Sequence, residues 1–323
     1  MAHHLTLEDR EVIAQMRSGA SSLSDIARRL GRAESTISRE LRRNRSRNGY
    51  WPVAAQKNAD ARQRHRQRTP KLRDPDLRQY VQQRLRWYWS PDEISRRSRL
   101  DFPRNRLRQV SHQTIYAWIE SQRSAGKDWR RYLRSSGWRR SERRNRGQIP
   151  ACISIEQRPT IVDRRGRYGD WEGDTVVGAH RRGGAVTLVE RKSRYLLLGR
   201  VADLKAATVR RSAVELYRRT PPALRKTLTL DNGKEFAEHQ QLEAEALLKV
   251  FFAKPYCAWQ RGTDEQTKGL IRQFFPKGTD LARIPNHRFT KVQQLLNDRP
   301  RKCLGYRTPR EILGPRLLLA FDT

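Results

Sequence analysis

Apolar positions recur at two different spacings along this chain, and the spacing changes near residue 150. Upstream the repeat is helical. Leu7, Val12, Ile13 and Met16 share one face, and Ile26, Ala27 and Leu30 share another. Thr6 with Asp9, and Ser22 with Asp25, supply helix-starting side chains before each run. Gly31 permits the tight turn into a third helix, Ala33 to Arg43, with Ile37 and Leu41 facing inward. Three short helices joined this way predict a helix-turn-helix unit. The outer face of its third helix offers Glu34, Ser35, Ser38, Arg39, Arg42 and Arg43, residue types that reach base edges and phosphates. A second unit is predicted from Trp89 to Ser121. Ser90-Pro91-Asp92-Glu93 starts one helix, and Ser111 caps another that carries Ile115, Tyr116, Trp118 and Ile119. Ser111, His112, Gln113 and Thr114 would form its leading edge.

Downstream the pattern alternates. Trp171–Val177, Ala185–Glu190 and Tyr195–Val201 read as three strands separated by short turns, hence an antiparallel meander. A helix from Ala206 to Arg218, a strand Thr227–Leu230, a helix Glu235–Leu248, a strand Val250–Ala253 and a helix Arg261–Gln273 follow. This order predicts an α/β domain: a mixed five-stranded sheet with helices on both faces, as in the ribonuclease-H-like fold. The whole chain is then multi-domain. Residues 1–48 form one all-α helix-turn-helix domain and 81–135 a second. Residues 49–80 and 136–158 read as basic linkers, and 159–323 as the α/β domain with its C-terminal helices.

Charge sharpens the picture. The 323 residues hold 69 Lys+Arg against 34 Asp+Glu, a formal net charge of +35. Residues 1–150 alone carry 36 basic and 15 acidic side chains. Such an excess calls for a polyanion, and nucleic acid fits first. A packaging protein would explain the charge but not the acids described below. No apolar run reaches 18 residues, so no membrane span is expected. Three scattered cysteines, Cys152, Cys257 and Cys303, make neither a disulfide framework nor a zinc spacing, and a cytoplasmic location is expected. No phosphate-loop string occurs, so no nucleotide cofactor is implied. His180 and His239 read as surface residues, and Trp171 and Trp259 as core.

Acids stand where strands should be apolar. Asp174 interrupts Glu172-Gly-Asp-Thr-Val-Val177, and Asp231 ends the fourth strand in Thr229-Leu-Asp-Asn-Gly-Lys-Glu-Phe236. Glu265 follows 34 residues later in a predicted helix. Singly, each reads equally well as a turn or surface residue. Together, two strand carboxylates and one helical carboxylate can converge on one sheet edge. Hard oxygen donors select Mg²⁺ or Mn²⁺, and two such ions suit in-line attack at a phosphodiester. Glu235 could shape that site, and Arg261, Lys268, Arg272 and Lys277 could contact phosphate near it.

Several strings resemble the insertion-sequence-thirty transposase family. They include Trp89-Ser-Pro-Asp-Glu-Ile94, Val110-Ser-His-Gln-Thr-Ile-Tyr116, Gly169-Asp-Trp-Glu-Gly-Asp174, Thr229 to Phe236, Trp259-Gln-Arg-Gly-Thr263, Arg272-Gln-Phe-Phe-Pro-Lys-Gly278 and Leu304-Gly-Tyr-Arg-Thr-Pro309. The resemblance covers nearly the whole chain. It implies that Asp174, Asp231 and Glu265 are catalytic metal ligands for two Mg²⁺ ions, with Mn²⁺ as substitute. It also implies double-stranded DNA as partner, namely terminal inverted repeats and target. A homodimer on DNA is expected, since two element ends must be brought together. A silent DNA-binding repressor is the alternative. The family usually carries Asn where this chain has Asp264 and Lys268.

Overall fold

Thr6 and Ser22 start the first two helices through the bonds their spacing predicts. The Asp9 N–H donates to Thr6 Oγ1 at 3.2 Å, and the Thr6 N–H donates back to Asp9 Oδ2 at 3.0 Å. The Asp25 N–H donates to Ser22 Oγ at 3.1 Å. This computed structural model describes residues 4–46, 49–66, 70–134, 152–254 and 262–319. They fall into two compact units, Met1–Arg73 and Asp74–Thr323.

The first unit contains α1 (Leu7–Ser18), α2 (Leu23–Leu30), α3 (Glu34–Asn44), a two-strand ribbon of β1 (Arg45–Ser46) and β2 (Gly49–Tyr50), and α4 (Pro52–Arg66). Gly31 ends α2 in the left-handed region, at φ 61°. Ile13, Ile26, Ala27 and Ile37 form the core. The segment expected as a linker from residue 49 is instead ordered, because α4 packs against α1. Its composition is polar, but its polar groups are matched. Ala55 is fully buried, Gln56 Oε1 accepts from Arg10 Nη1 at 2.6 Å, and Arg62 Nη2 donates to Asn44 Oδ1 at 3.1 Å. At the centre, Glu40 Oε1 accepts from Arg10 Nε (2.8 Å), Asn44 Nδ2 (2.9 Å) and the Tyr50 hydroxyl (3.2 Å). A buried charge is tolerated when it is paired and hydrogen-bonded in this way.

The second unit opens with α5 (Pro75–Arg86), α6 (Pro91–Asp101) and α7 (His112–Ser124). Helix α5 also starts inside the segment expected as linker, where Asp74 caps it. Leu77, Val81, Leu85, Ile94, Ile115 and Ile119 are buried, whereas Tyr116 is exposed. Three contacts tie these helices to the end of the chain. Arg299 Nε donates to Glu93 Oε2 at 3.0 Å, Arg97 Nη2 to Glu311 Oε1 at 2.6 Å, and the Tyr306 hydroxyl to Asp92 Oδ2 at 3.0 Å.

A short helix α8 (Thr160–Asp163) then leads into β3 (Asp170–Val177), β4 (Gly184–Glu190), β5 (Leu196–Val201), α9 (Ala206–Arg218), β6 (Thr227–Leu230), α10 (His239–Ala246), β7 (Lys249–Phe252), α11 (Gly262–Ile271), α12 (Asn286–Asn297) and α13 (Pro309–Leu319). The strand order is β5-β4-β3-β6-β7. The first three strands are antiparallel, and β6 and β7 run parallel to β3. Central β3, flanked by a meander on one side and parallel crossover strands on the other, makes this the ribonuclease-H-like fold. One face packs Trp171, Leu188, Leu228 and Leu230 against Tyr217 of α9 and Leu242 of α10. The other packs Val176, Val189 and Leu198 against Leu270, Ile271, Phe289 and Leu296.

Three sequence expectations change here. The sheet domain starts before residue 159, since the Phe252 N–H donates to Ile153 O at 2.8 Å and Ser154 bridges to Phe252. The helix expected over 235–248 is a tight turn, Lys234–Phe236, followed by α10, which Leu247 ends at φ 54°. His239 is buried against the Phe252 ring, 4.9 Å between centroids, rather than on the surface. Among the described residues, no helix is long and apolar enough to cross a membrane.

Candidate active site

Parallel pairing of β3 with β6 decides where the two strand acids stand. Glu172 pairs with Thr229. Asp174 lies two residues further along β3 and Asp231 directly follows β6, so both acids stand at the end of these adjacent parallel strands where their pairing stops. Both are buried, at 6% and 8% exposure. The Thr175 N–H donates to Asp174 Oδ1 at 2.6 Å, and Thr187 Oγ1 to the Asp174 carbonyl at 3.0 Å. Asp231 Oδ1 accepts the Gly233 N–H at 3.1 Å, and Asn232 Nδ2 anchors the same turn on Ala253 O at 2.7 Å.

Two glycines are dictated by crowding. A Cβ on Gly173 would stand 2.7 Å from Leu230 Cδ2. A Cβ on Gly233 would stand 2.7 Å from Glu235 Oε2 and 2.9 Å from Asp231 Oδ1. Glu235 therefore turns its carboxyl back toward Asp231, and the Thr175 hydroxyl donates to its other oxygen at 3.0 Å. The sequence pointed to Glu235 as a shaping residue, and its carboxyl does border the site.

Helix α11 lies along β3 and β4 and carries Glu265, which is exposed. Lys268, one turn further along, forms an ion pair with Asp174 Oδ2. Two buried carboxylates with oxygen-only donors fit a hard divalent cation. Among the described residues, no three acid, histidine or cysteine side chains come together as a closed metal cage. Glu265 lies exposed on α11, the helix that brings Lys268 to Asp174.

Comparison with known proteins adds the lineage. A family model described as a helix-turn-helix domain matches residues 2–44. The transposase for insertion sequence element IS4351 of Bacteroides fragilis is 37% identical over 96% of this chain and 95% of its own length. Transposase InsI for element IS30A of Escherichia coli (strain K12) is 38% identical over 96% of this chain and 83% of its own. The transposase for element IS1086 of Cupriavidus metallidurans is 39% identical over 95% and 93%. The chain belongs to the IS30 family of transposases.

In this IS30-family chain the expected DNA-contacting residues separate into groups. Ser35, Ser38, Arg39, Arg42 and Arg43 all lie exposed on α3. Arg39 is held along the helix by Nε to Ser35 O at 2.8 Å and Nη2 to Ser35 Oγ at 3.2 Å. In α7, His112 and Gln113 are exposed, while Ser111 accepts the Thr114 N–H at 3.1 Å as the cap and shares a 2.8 Å bond with the Thr114 hydroxyl. Lys277 is exposed just after α11. Arg272, expected on phosphate, instead donates Nη2 to Val177 O at 3.1 Å and Nη1 to Phe275 O at 3.4 Å. Its guanidinium closes the end of β3, and burial lowers its pKa. Arg261, Gln260 and Trp259 lie outside the described residues.

Sequence reading missed the charge layer beneath α11. Asp170, Glu172 and Asp174 share one face of β3, and each meets a cation: Arg167 at 3.0 Å, Arg191 at 3.5 Å, and Lys268. Alternating acids in Gly169-Asp-Trp-Glu-Gly-Asp174 were the available signal.

Proposed function

We propose that this chain binds the terminal inverted repeats of its element, cuts the DNA at the element ends and joins the freed 3′-hydroxyl to target DNA. The observation that carries this reading is the placement of Asp174 and Asp231 where the pairing of two adjacent parallel strands stops, in a chain of the IS30 transposase family. Asp174 and Asp231 would hold divalent metal, and Glu265 would complete the set from α11. Bound Mg²⁺ or Mn²⁺, as a pair, would make the attacking oxygen more nucleophilic and neutralise the leaving oxygen. The protein's part is positional. Thr175 N–H and the Asp231 turn fix the two carboxylates, and Arg39 with its α3 neighbours would read the major groove. Two ends require two such sites, so a homodimer on DNA is part of the proposal.

A cleavage and joining assay on duplexes bearing the flanking repeats tests it, with Mg²⁺, Mn²⁺ or EDTA present. Asp174→Asn, Asp231→Asn and Glu265→Gln should each cut at least about a hundredfold more slowly while binding DNA as wild type does. Equal cutting by all three variants overturns the site. Tight specific binding without any cut would favour a silent DNA-binding repressor, a reading to which the Lys268–Asp174 ion pair lends weight.

A further inference from the structure

Two guanidiniums converge on one neutral acceptor at the start of α11. Arg194, from the turn between β4 and β5, donates Nη1 to Thr263 Oγ1, and Arg165, ahead of β3, donates Nη2 to the same oxygen at 3.3 Å. Thr263 is buried, at 2% exposure, while Arg165 lies at the surface and Arg194 is half-buried. Arg191 stands behind them at 6% exposure. It faces Glu172, yet among the described residues its Nε and Nη1 make no hydrogen bond, and neither does Arg194 Nε. Burial and the neighbouring Arg194 charge both lower the Arg165 pKa. Burial also lowers that of Arg191, with Arg158 and Arg165 adding to the effect against Glu172. Like charges gathered on a neutral hydroxyl repel, and guanidinium forks favour a tetrahedral oxyanion far more than a shared alcohol. Arg165 is exposed, so an anion can reach this pair from solvent.

We propose that Arg165, Arg194 and the Thr263 hydroxyl form a binding site for a backbone phosphate of the DNA strand being cut. Thr263 and Lys268 are five residues apart on α11, about 7.5 Å along the helix axis, so the bound phosphate lies close along the strand to the one presented to Asp174. This rests on the transposase reading and deepens it, by fixing the strand at a second point so that the scissile phosphate meets the acids in one register.

Thermal unfolding of the full chain with inorganic pyrophosphate as probe tests the site without using cleavage. Pyrophosphate should raise the wild-type transition temperature. Arg165→Gln and Arg194→Gln should weaken that response about tenfold in pyrophosphate concentration, the loss of one charged hydrogen-bonding partner. Asp174→Asn should keep it, so failure of the catalytic reading would leave this result readable. Without pyrophosphate, Arg194→Gln should unfold at or above the wild-type temperature, because repulsion is relieved. A purely structural arginine would show the opposite. Arg194→Lys, which retains charge but not the fork, should give an intermediate response and covers the case in which the glutamine variant misfolds. An unchanged response in the Arg165 and Arg194 variants, or none in wild type, overturns the proposal. DNA carrying a single uncharged methylphosphonate at one of the phosphates next to the cut should bind wild type more weakly but the double glutamine variant no differently. An equal loss in both proteins at every such position would overturn the proposal.

Discussion

Lys268 of α11 places its ammonium on the carboxylate of Asp174 in β3. The sequence suggested phosphate as its partner. Packing of α11 along β3 decides otherwise, because it turns Lys268 toward the strand while Glu265 stays exposed. An ammonium and a divalent cation want the same carboxylate oxygen. Lys268→Asn should therefore bind Mn²⁺ more tightly in the DNA-free protein, by about tenfold, or 1.4 kcal/mol. Titration calorimetry reads this directly. Equal affinities would show that Lys268 leaves Asp174 at no cost when the ion arrives.

Recognition by α3 should divide by side chain. Arg39 is held back along the exposed face of α3 by Ser35, and once released its fork can make a two-point contact to a guanine edge. Arg39→Ala should cost about 1–3 kcal/mol on the cognate repeat and relax sequence preference. Arg42→Ala should weaken all sequences alike and lower the slope of log affinity against log salt by about 0.9. Salt-dependent anisotropy titrations on cognate and scrambled duplexes separate the two. A sequence-independent loss for Arg39→Ala would remove it from base reading.

The sheet and its two acids were legible because polar residues broke apolar strands at fixed places. Asp174 and Asp231 needed only the strand pattern to be set side by side. The acids of the charge layer under α11 left an alternating signal, but their partners did not, since Arg165, Arg191 and Arg194 reach Thr263 and Glu172 through tertiary contacts that leave no periodic trace. Helix α4 was hidden for a related reason. Its packing rests on Ala55 and on hydrogen bonds from Gln56 and Arg62, so its composition reads as a solvated tether. The α11 region also shows how spacing misleads. Arg272 has the right position for a phosphate contact, yet two backbone carbonyls claim it.

Glu40 should matter for the first unit well beyond its place on α3. It gathers Arg10, Asn44 and Tyr50, with Arg10 and Glu40 at 4% and 9% side-chain exposure. Glu40→Ala leaves Arg10 buried without its counter-charge and should destabilise this unit by about 3 kcal/mol. Hydrogen exchange of α1 and α3 amides measures it unit by unit. Protection lost equally in β3 and β4 would mean that the two units unfold together.

Tyr217 carries the most exposed prediction on the sheet's other face. Its ring packs edge-on against Trp171 with 5.8 Å between centroids, and the side chain is fully buried. The hydroxyl has no hydrogen-bond partner among the described residues. Burial therefore pushes its pKa well above the usual tyrosine value. An unmet buried hydroxyl costs about 1–3 kcal/mol, so Tyr217→Phe should keep the packing and raise the unfolding temperature. The pH dependence follows from the sign of the shift. Below about pH 10 the tyrosine is neutral both folded and unfolded, and contributes no slope. Above it the unfolded chain loses the proton while the folded chain keeps it, so stability falls as pH rises toward the folded pKa. Tyr50 and Tyr80, whose pKa values burial also raises, act in the same direction and remain in the variant. Tyr217→Phe should thus show a shallower, not absent, alkaline loss in calorimetric scans between pH 9 and 11. A lower transition temperature at pH 7 would mean that the hydroxyl is satisfied in solution and that the phenol is held for its bond rather than its ring.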